Sequence, residues 1–181
     1  MNNNSRKETK GGCGSFKALM HKCNLFSIKS ILVITFFIGL DFFVKLIVEN
    51  IKPDIHLFSI FSIKYTTNTG IAFGFFKSNP NLNALLVLVI LSFFLYLFCF
   101  NKNILLEDSK TKKNNKIPLI AVILILSGGI SNLIDRLIYG YVIDFISIGS
   151  WPNFNLADSY ITIGVIMMIL FIYSSEQKKK K

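Results

Sequence analysis

The chain has 181 residues, the length of one ordinary domain or two small ones. Hydrophobic residues make up 52% and charged ones 17%, with 18 Phe and a mean hydropathy of +0.53. That leaves too little polar surface for a water-soluble globule and excludes disorder, collagen and coiled coil. The net charge of +10 does not point to nucleic acid, because Lys and Arg lie between the greasy segments, as in a membrane protein that keeps its cations on one side.

In chain order, residues 1–26 form a basic polar tail, expected to be disordered. Cys13, Cys23 and Cys99 have no motif spacing, so neither a disulfide framework nor a zinc site follows from them. Four apolar stretches come next, 31–48, 84–100, 117–134 and 156–173. With their flanks they predict spans near 29–49, 83–101, 117–137 and 156–174, at roughly 1.5 Å per residue long enough for a ~30 Å hydrocarbon core. Residues 93–100 (FFLYLFCF) have no polar face, which argues against buried helices of a soluble bundle. The first span follows a long basic tail and precedes no small-residue cleavage site, so it is read as a retained anchor.

Fifteen Lys and Arg fall in the N-terminal tail, the loop between spans two and three, and the C-terminal tail 176–181; only Lys52, Lys64 and Lys77 fall on the other side. The positive-inside rule then puts both termini in the cytoplasm, and segments 49–83 and 137–155 on the opposite face. The tails and the lysine-rich loop read as solvated polymer in contact with membrane lipids.

The outer loop 50–80 is β-rich: residues 55–76 abound in β-branched and aromatic side chains, alternate in part, and contain a turn at Asn68-Thr69-Gly70. A short twisted sheet at the membrane surface is expected. The second outer segment reads as amphipathic and carries Trp151, an interfacial aromatic. The fold class is thus an all-α membrane protein of four transmembrane helices, residues 27–175, with a small extracytoplasmic sheet and a short amphipathic outer segment.

Ionisable or amide side chains inside a span cost on the order of 2–3 kcal/mol or more and ask for a reason. Asp41 and Lys45 lie four apart on one helical face, where they can pair; a structural ion pair and direct substrate contact both fit. Asn132, Asp135 and Arg136 share a face at the outer end of the third span, which suggests a lined cavity, and Gly128 and Gly129 before them allow close helix approach. Asp144 lies just beyond that span. Asp158 lies in the first turn of the fourth, with Asn155 as its N-cap.

As a lone helix-start carboxylate, Asp158 would gain about 0.3–1 kcal/mol from the helix dipole. A second Asp on the same membrane face points instead to a carboxylate pair, in which one proton is shared and one pKa rises. Such a pair can hydrolyse a peptide without metal, cofactor or covalent intermediate. His21 and His56 fall on opposite faces, and no GxSxG, HExxH, P-loop or GxGxxG motif occurs. A proton or cation path through Asp41, Asp135, Asp144 and Asp158 is the rival reading, but these residues cluster at one face and no broken helix marks a midplane site. A lipid-modifying transferase would need a nucleophile or base outside, and His56 has no partners there.

The ordered blocks Asp41…Lys45; Asn68-Thr69-Gly70-Ile71-Ala72-Phe73-Gly74; Gly128-Gly129-Ile130-Ser131-Asn132-Leu133-Ile134-Asp135-Arg136; Gly140-Tyr141-Val142-Ile143-Asp144-Phe145; and Phe154-Asn155-Leu156-Ala157-Asp158-Ser159 resemble the lipoprotein signal peptidases, or signal peptidase II, over roughly residues 30–175. The resemblance implies an aspartic endopeptidase of the bacterial cytoplasmic (inner) membrane, active at the extracytoplasmic face. Such enzymes remove signal peptides from prolipoproteins by cutting before a diacylglyceryl-modified cysteine. It assigns catalysis to Asp144 and Asp158. Substrate or inhibitor binding, including the antibiotic globomycin, falls to Asn68, Gly70, Asn132, Arg136 and Asn155, and structural support to Asp41, Lys45 and Asp135. The chain departs from the family at Ser131, where Gly is usual, and in a short interval between Asp144 and Asp158, which trims any lid.

Overall fold

The computed structural model describes residues 25, 27–70, 80–100 and 116–179. Most of the basic tail, the lysine-rich middle loop, residues 71–74 of the outer block and the last two lysines lie outside the described residues. Among the described residues there are four helices: α1 (Ile28–Ile51), α2 (Pro80–Phe100), α3 (Ile117–Tyr139) and α4 (Leu156–Lys179). Three are long and apolar enough to cross a membrane, namely α1, α3 and the Leu156–Gln177 part of α4. Their 22–24 residues rise roughly 33–36 Å.

Local chemistry sets several of the ends. Ser27 caps α1 by accepting the Ser30 N–H at 3.2 Å, and Lys52 ends it in the left-handed region (φ 46°). Pro118 opens α3, where its missing N–H costs nothing. Gly140 ends α3 at φ 78°, its N–H returned to the Arg136 carbonyl. The helix α4 runs through Lys179, past the predicted end of the fourth span.

The α3–α4 crossing rests on two glycines. A Cβ on Gly128 would collide with the Ala157 carbonyl oxygen, and one on Gly164 would stand 2.7 Å from the Ala121 carbonyl oxygen. The two contacts are seven residues apart on each helix, so the antiparallel pair stays in close approach for two turns. The polar end of α3 is thereby held against the first turn of α4. Toward the other end, Ala121, Val122, Ile123, Leu126 and Met168 form an apolar core that also buries Leu25.

The three-stranded sheet is antiparallel in the order β1 (Asp54–His56), β2 (Phe61–Asn68) and β3 (Val142–Ile148). The strand β3 comes from the second outer segment, which the sequence had suggested was an amphipathic connector. Its apolar run VIDFISI is a strand because one face packs Ile143 and Phe145 on Val48 while its edge pairs with β2. Pairing runs Phe61↔Ile148, Ser62↔Ser147, Ile63↔Ile146, then shifts by one residue to Thr66↔Asp144, Thr67↔Ile143 and Asn68↔Val142. That bulge has a consequence for side chains. It puts Thr66, Asn68 and Asp144 on one face, where an unbroken register would have opposed Asn68 and Asp144.

Candidate active site: two aspartates in a polar cluster

A cavity of about 1220 Å³ opens between α2, α3, α4 and the sheet. Its polar rim includes Asn68, Asn132, Arg136, Asp144 and Asp158, and its apolar wall includes Ile90, Leu91, Ile125 and Ile161. His56 does not line it and is exposed on the edge strand β1.

Asp158 is placed by a reciprocal helix cap. The Asn155 side-chain oxygen accepts the Asp158 N–H at 2.9 Å, and the Asp158 carboxylate accepts the Asn155 N–H at 3.3 Å. Its other oxygen accepts from Asn132 Nδ2 at 2.7 Å. Asp144, on β3, is 2% exposed. It accepts from Asn68 Nδ2 at 2.9 Å and from Asn155 Nδ2 at 2.8 Å. Asn155 therefore touches both acidic residues: its side-chain Nδ2 donates to the Asp144 carboxylate, its Oδ1 accepts the Asp158 backbone N–H, and its own backbone N–H donates to the Asp158 carboxylate. Burial, reinforced by the neighbouring Asp158 charge, pushes the Asp144 carboxyl up to about 7, against the pull of the Asn68 hydrogen bond.

Beneath this pair lies a second cluster. Lys45 Nζ is 2.7 Å from Asp41, 2.6 Å from Asp135 and 3.0 Å from Asn132 Oδ1. All four residues are buried. Asp41 also accepts from Ser131 Oγ at 2.7 Å and from the Ala157 N–H at 2.9 Å. Ser131 thus supplies a hydrogen bond to a buried carboxylate. The predicted Asp41–Lys45 pair forms, and it ties α1 to α3 and α4. Asp135 is turned to Lys45 and does not line the cavity, although its spacing puts it near the face of Asn132 and Arg136. Asn132, Asp135 and Arg136 span about 100° of helix, and the buried cation draws in Asp135 together with the Asn132 oxygen, while Arg136 and Asn132 also line the cavity.

Arg136 donates to the Gly70 carbonyl at 2.8 Å and to the Asn132 carbonyl at 3.0 Å. Its buried Nε has no hydrogen-bond partner among the described residues. Asn68 Oδ1 accepts the Gly70 N–H at 3.0 Å, closing the predicted turn. Sequence reasoning missed Asn83. It is 0% exposed and donates to the Thr69 carbonyl at 2.7 Å; an amide in the first turn of an apolar helix was the available signal. Among the described residues no group of three or more His, Cys, Asp or Glu could hold a metal ion.

A membrane protein with two carboxylates at one cavity, one on strand β3 and one in the first turn of α4, is the class that these features define. Residues 33–174 match the family described as signal peptidase (SPase) II. The chain is similar to the lipoprotein signal peptidase of Halothermothrix orenii, 33% identical over 150 residues that cover 81% of this chain and 96% of that one. The lipoprotein signal peptidase of Wigglesworthia glossinidia brevipalpis is 38% identical over 148 residues, covering 78% and 92%. A bacterial membrane enzyme structure obtained by the in meso method at 2.3 Å resolution superimposes with a TM-score of 0.72 at 27% identity, covering 86% of this chain and 94% of that one. The chain belongs to the signal peptidase II family and is a membrane peptidase.

Proposed function

We propose that the chain removes signal peptides from prolipoproteins by cutting before a diacylglyceryl-modified cysteine, with Asp144 and Asp158 activating water. The observation that carries this reading is Asn155, whose side-chain Nδ2 donates to the Asp144 carboxylate and whose backbone N–H donates to the Asp158 carboxylate, at one cavity. Asp144, pushed up to about 7, keeps a proton near neutral pH. Asp158 is the ionised partner, because it sits in the positive first turn of α4 and accepts from a backbone N–H and from Asn132.

Asp158 takes a proton from water as the oxygen attacks the scissile carbonyl carbon, and Asp144 gives its proton to the carbonyl oxygen. When the C–N bond breaks, Asp158 protonates the departing amine and Asp144 recovers a proton from the collapsing diol. Arg136 and Asn68, both on the cavity rim, are the side chains that would meet the substrate backbone or a globomycin-type peptide. The apolar wall suits a signal segment and acyl chains already dissolved in lipid, so binding energy positions the bond.

In this reading all four helices span the bacterial inner membrane, with both termini cytoplasmic and the site at the outer face, as the one-sided lysines imply. The relatives named lipoprotein signal peptidase support the substrate class. The test is a mass measurement on a diacylglyceryl prolipoprotein peptide incubated with the purified chain, beside the same peptide without lipid. Release of the signal peptide with a new N-terminal lipid-modified Cys from the lipidated peptide is expected. No cleavage, or equal cleavage of both, overturns the reading.

A further inference from the structure

We infer that Asn83 is a positioning residue for the peptidase reaction, acting through the loop 68–70; this rests on the dyad reading above. The loop is held from three directions. Asn68 bonds Asp144 on β3, Arg136 on α3 bonds the Gly70 carbonyl, and Asn83 on α2 bonds the Thr69 carbonyl between them. Asn83 is fully buried, in a helix otherwise composed almost wholly of apolar residues, and an amide at such a place is costly unless its hydrogen bonds are made.

The Thr69 carbonyl lies one residue from Asn68, whose two amide ends are both committed, to Asp144 and to the Gly70 N–H. Movement of Thr69 must therefore move the Asn68 donor at the Asp144 carboxylate. Asn83 does not line the cavity, whereas Asn68 and Thr69 do. Its influence on turnover passes through the loop, and α2 becomes part of the apparatus that sets the geometry of Asp144. The charged groups acting on Asp144 are Asp158 and Lys45, with Arg136 beside them on the cavity rim; none belongs to α2. A pH effect from Asn83 has no direct electrostatic route.

The experiment compares the full chain with Asn83→Leu, Asn68→Ala and the double variant on a diacylglyceryl prolipoprotein peptide, measuring kcat, KM and the pH profile. Asn83→Leu should lower kcat about tenfold, roughly one side-chain hydrogen bond. It should change KM less than threefold and move the alkaline limb upward. In the Asn68→Ala background Asn83→Leu should have no further effect on kcat or on the limb. A role confined to stability would lower the amount of folded enzyme and leave kcat per folded enzyme and the pH profile unchanged; that result, or additive effects in the double variant, overturns the inference. If Asn83→Leu does not accumulate, Asn83→Ser, shorter and unable to reach Thr69, replaces it. Failure of the unaltered chain to cleave, or cleavage unaffected by Asp144→Asn, would instead overturn the dyad reading.

Discussion

The Asp41 carboxylate accepts the backbone N–H of Ala157 at 2.9 Å, although 116 residues separate them. Ala157 precedes Asp158, so a carboxylate buried in α1 fixes the height of the first turn of α4. The other oxygen is bound by Lys45 and Ser131. Positioning of the cavity aspartates thus begins one layer beneath them.

Asp144→Asn and Asp158→Asn should each abolish cleavage, with losses at or beyond the ~10²–10⁴-fold typical of general acid–base groups. Both variants should still bind a globomycin-type inhibitor, since Asn68, Asn132 and Asn155 remain. Comparable folded yields and single-turnover assays check this. Near-normal turnover by either variant would remove that residue from the pair.

The ratio kcat/KM should fall as pH rises through about 7, because the proposed mechanism needs a proton on Asp144 and its carboxyl is raised to about 7. Asn68→Ala should move this limb upward by removing a donor to the ionised form. Stability follows the same sign. A carboxyl raised on folding from 3.8 stabilises fully below that value, and its contribution is lost as pH rises through about 7. Thermal midpoints in detergent between pH 4 and pH 8 measure it.

Lys45→Met should destabilise by about 3–5 kcal/mol, since Asp41 and Asp135 would face each other across a buried site without their cation. Asp41→Asn should cost yield and stability more than turnover of the folded fraction. A Lys45→Met protein with an unchanged thermal midpoint would show that the cluster contributes little.

Gly128→Ala should cost about 1–3 kcal/mol and lower activity as well, because the added methyl meets the Ala157 carbonyl and pushes on the turn that carries Asp158. Gly39→Ala is the control. Nothing lies within 4 Å of its Cβ position, and Ala there should be neutral or better. Equal behaviour of the two would contradict the close crossing of α3 and α4.

For orientation, the native cysteines are removed and Lys112→Cys or Ser150→Cys introduced. Membrane-impermeant thiol reagent added outside intact cells should label the second and spare the first. The reverse pattern would put the cavity on the cytoplasmic side.

The helices were legible because continuous apolar runs leave no other solvent for them, and Asp41 and Lys45 because an i,i+4 pair needs no tertiary information. The cap was legible for the same reason: Asn155 and Asp158 stand three apart at the start of an apolar run. Partners far apart in sequence were not legible. Lys45 has a second carboxylate in Asp135, 90 residues on, and nothing in the spacing of α3 says which of its polar residues turns to the cation. The strand β3 was hidden because a short apolar run has no decisive period. The bulge between Ile63 and Thr66 leaves no signature either, yet it decides that Asn68 can reach Asp144.

Between Asp144 and Asp158 the chain doubles back on itself: Phe154 exchanges hydrogen bonds with Ile146 at 3.0 and 2.8 Å, and Gly149 takes the turn at φ 53°. Both acids thus arrive on one stretch of fifteen residues, and the entropy lost in bringing them together is that of a small loop. Among the described residues, the side chains outside this stretch that bond them, Asn68 and Asn132, precede them in the chain. During N-to-C synthesis those groups are made first, and the second acid comes only with α4. In the proposed mechanism a nascent chain has no complete dyad until the first turn of α4 has been made, when the partners that Asp158 bonds among the described residues are already in place.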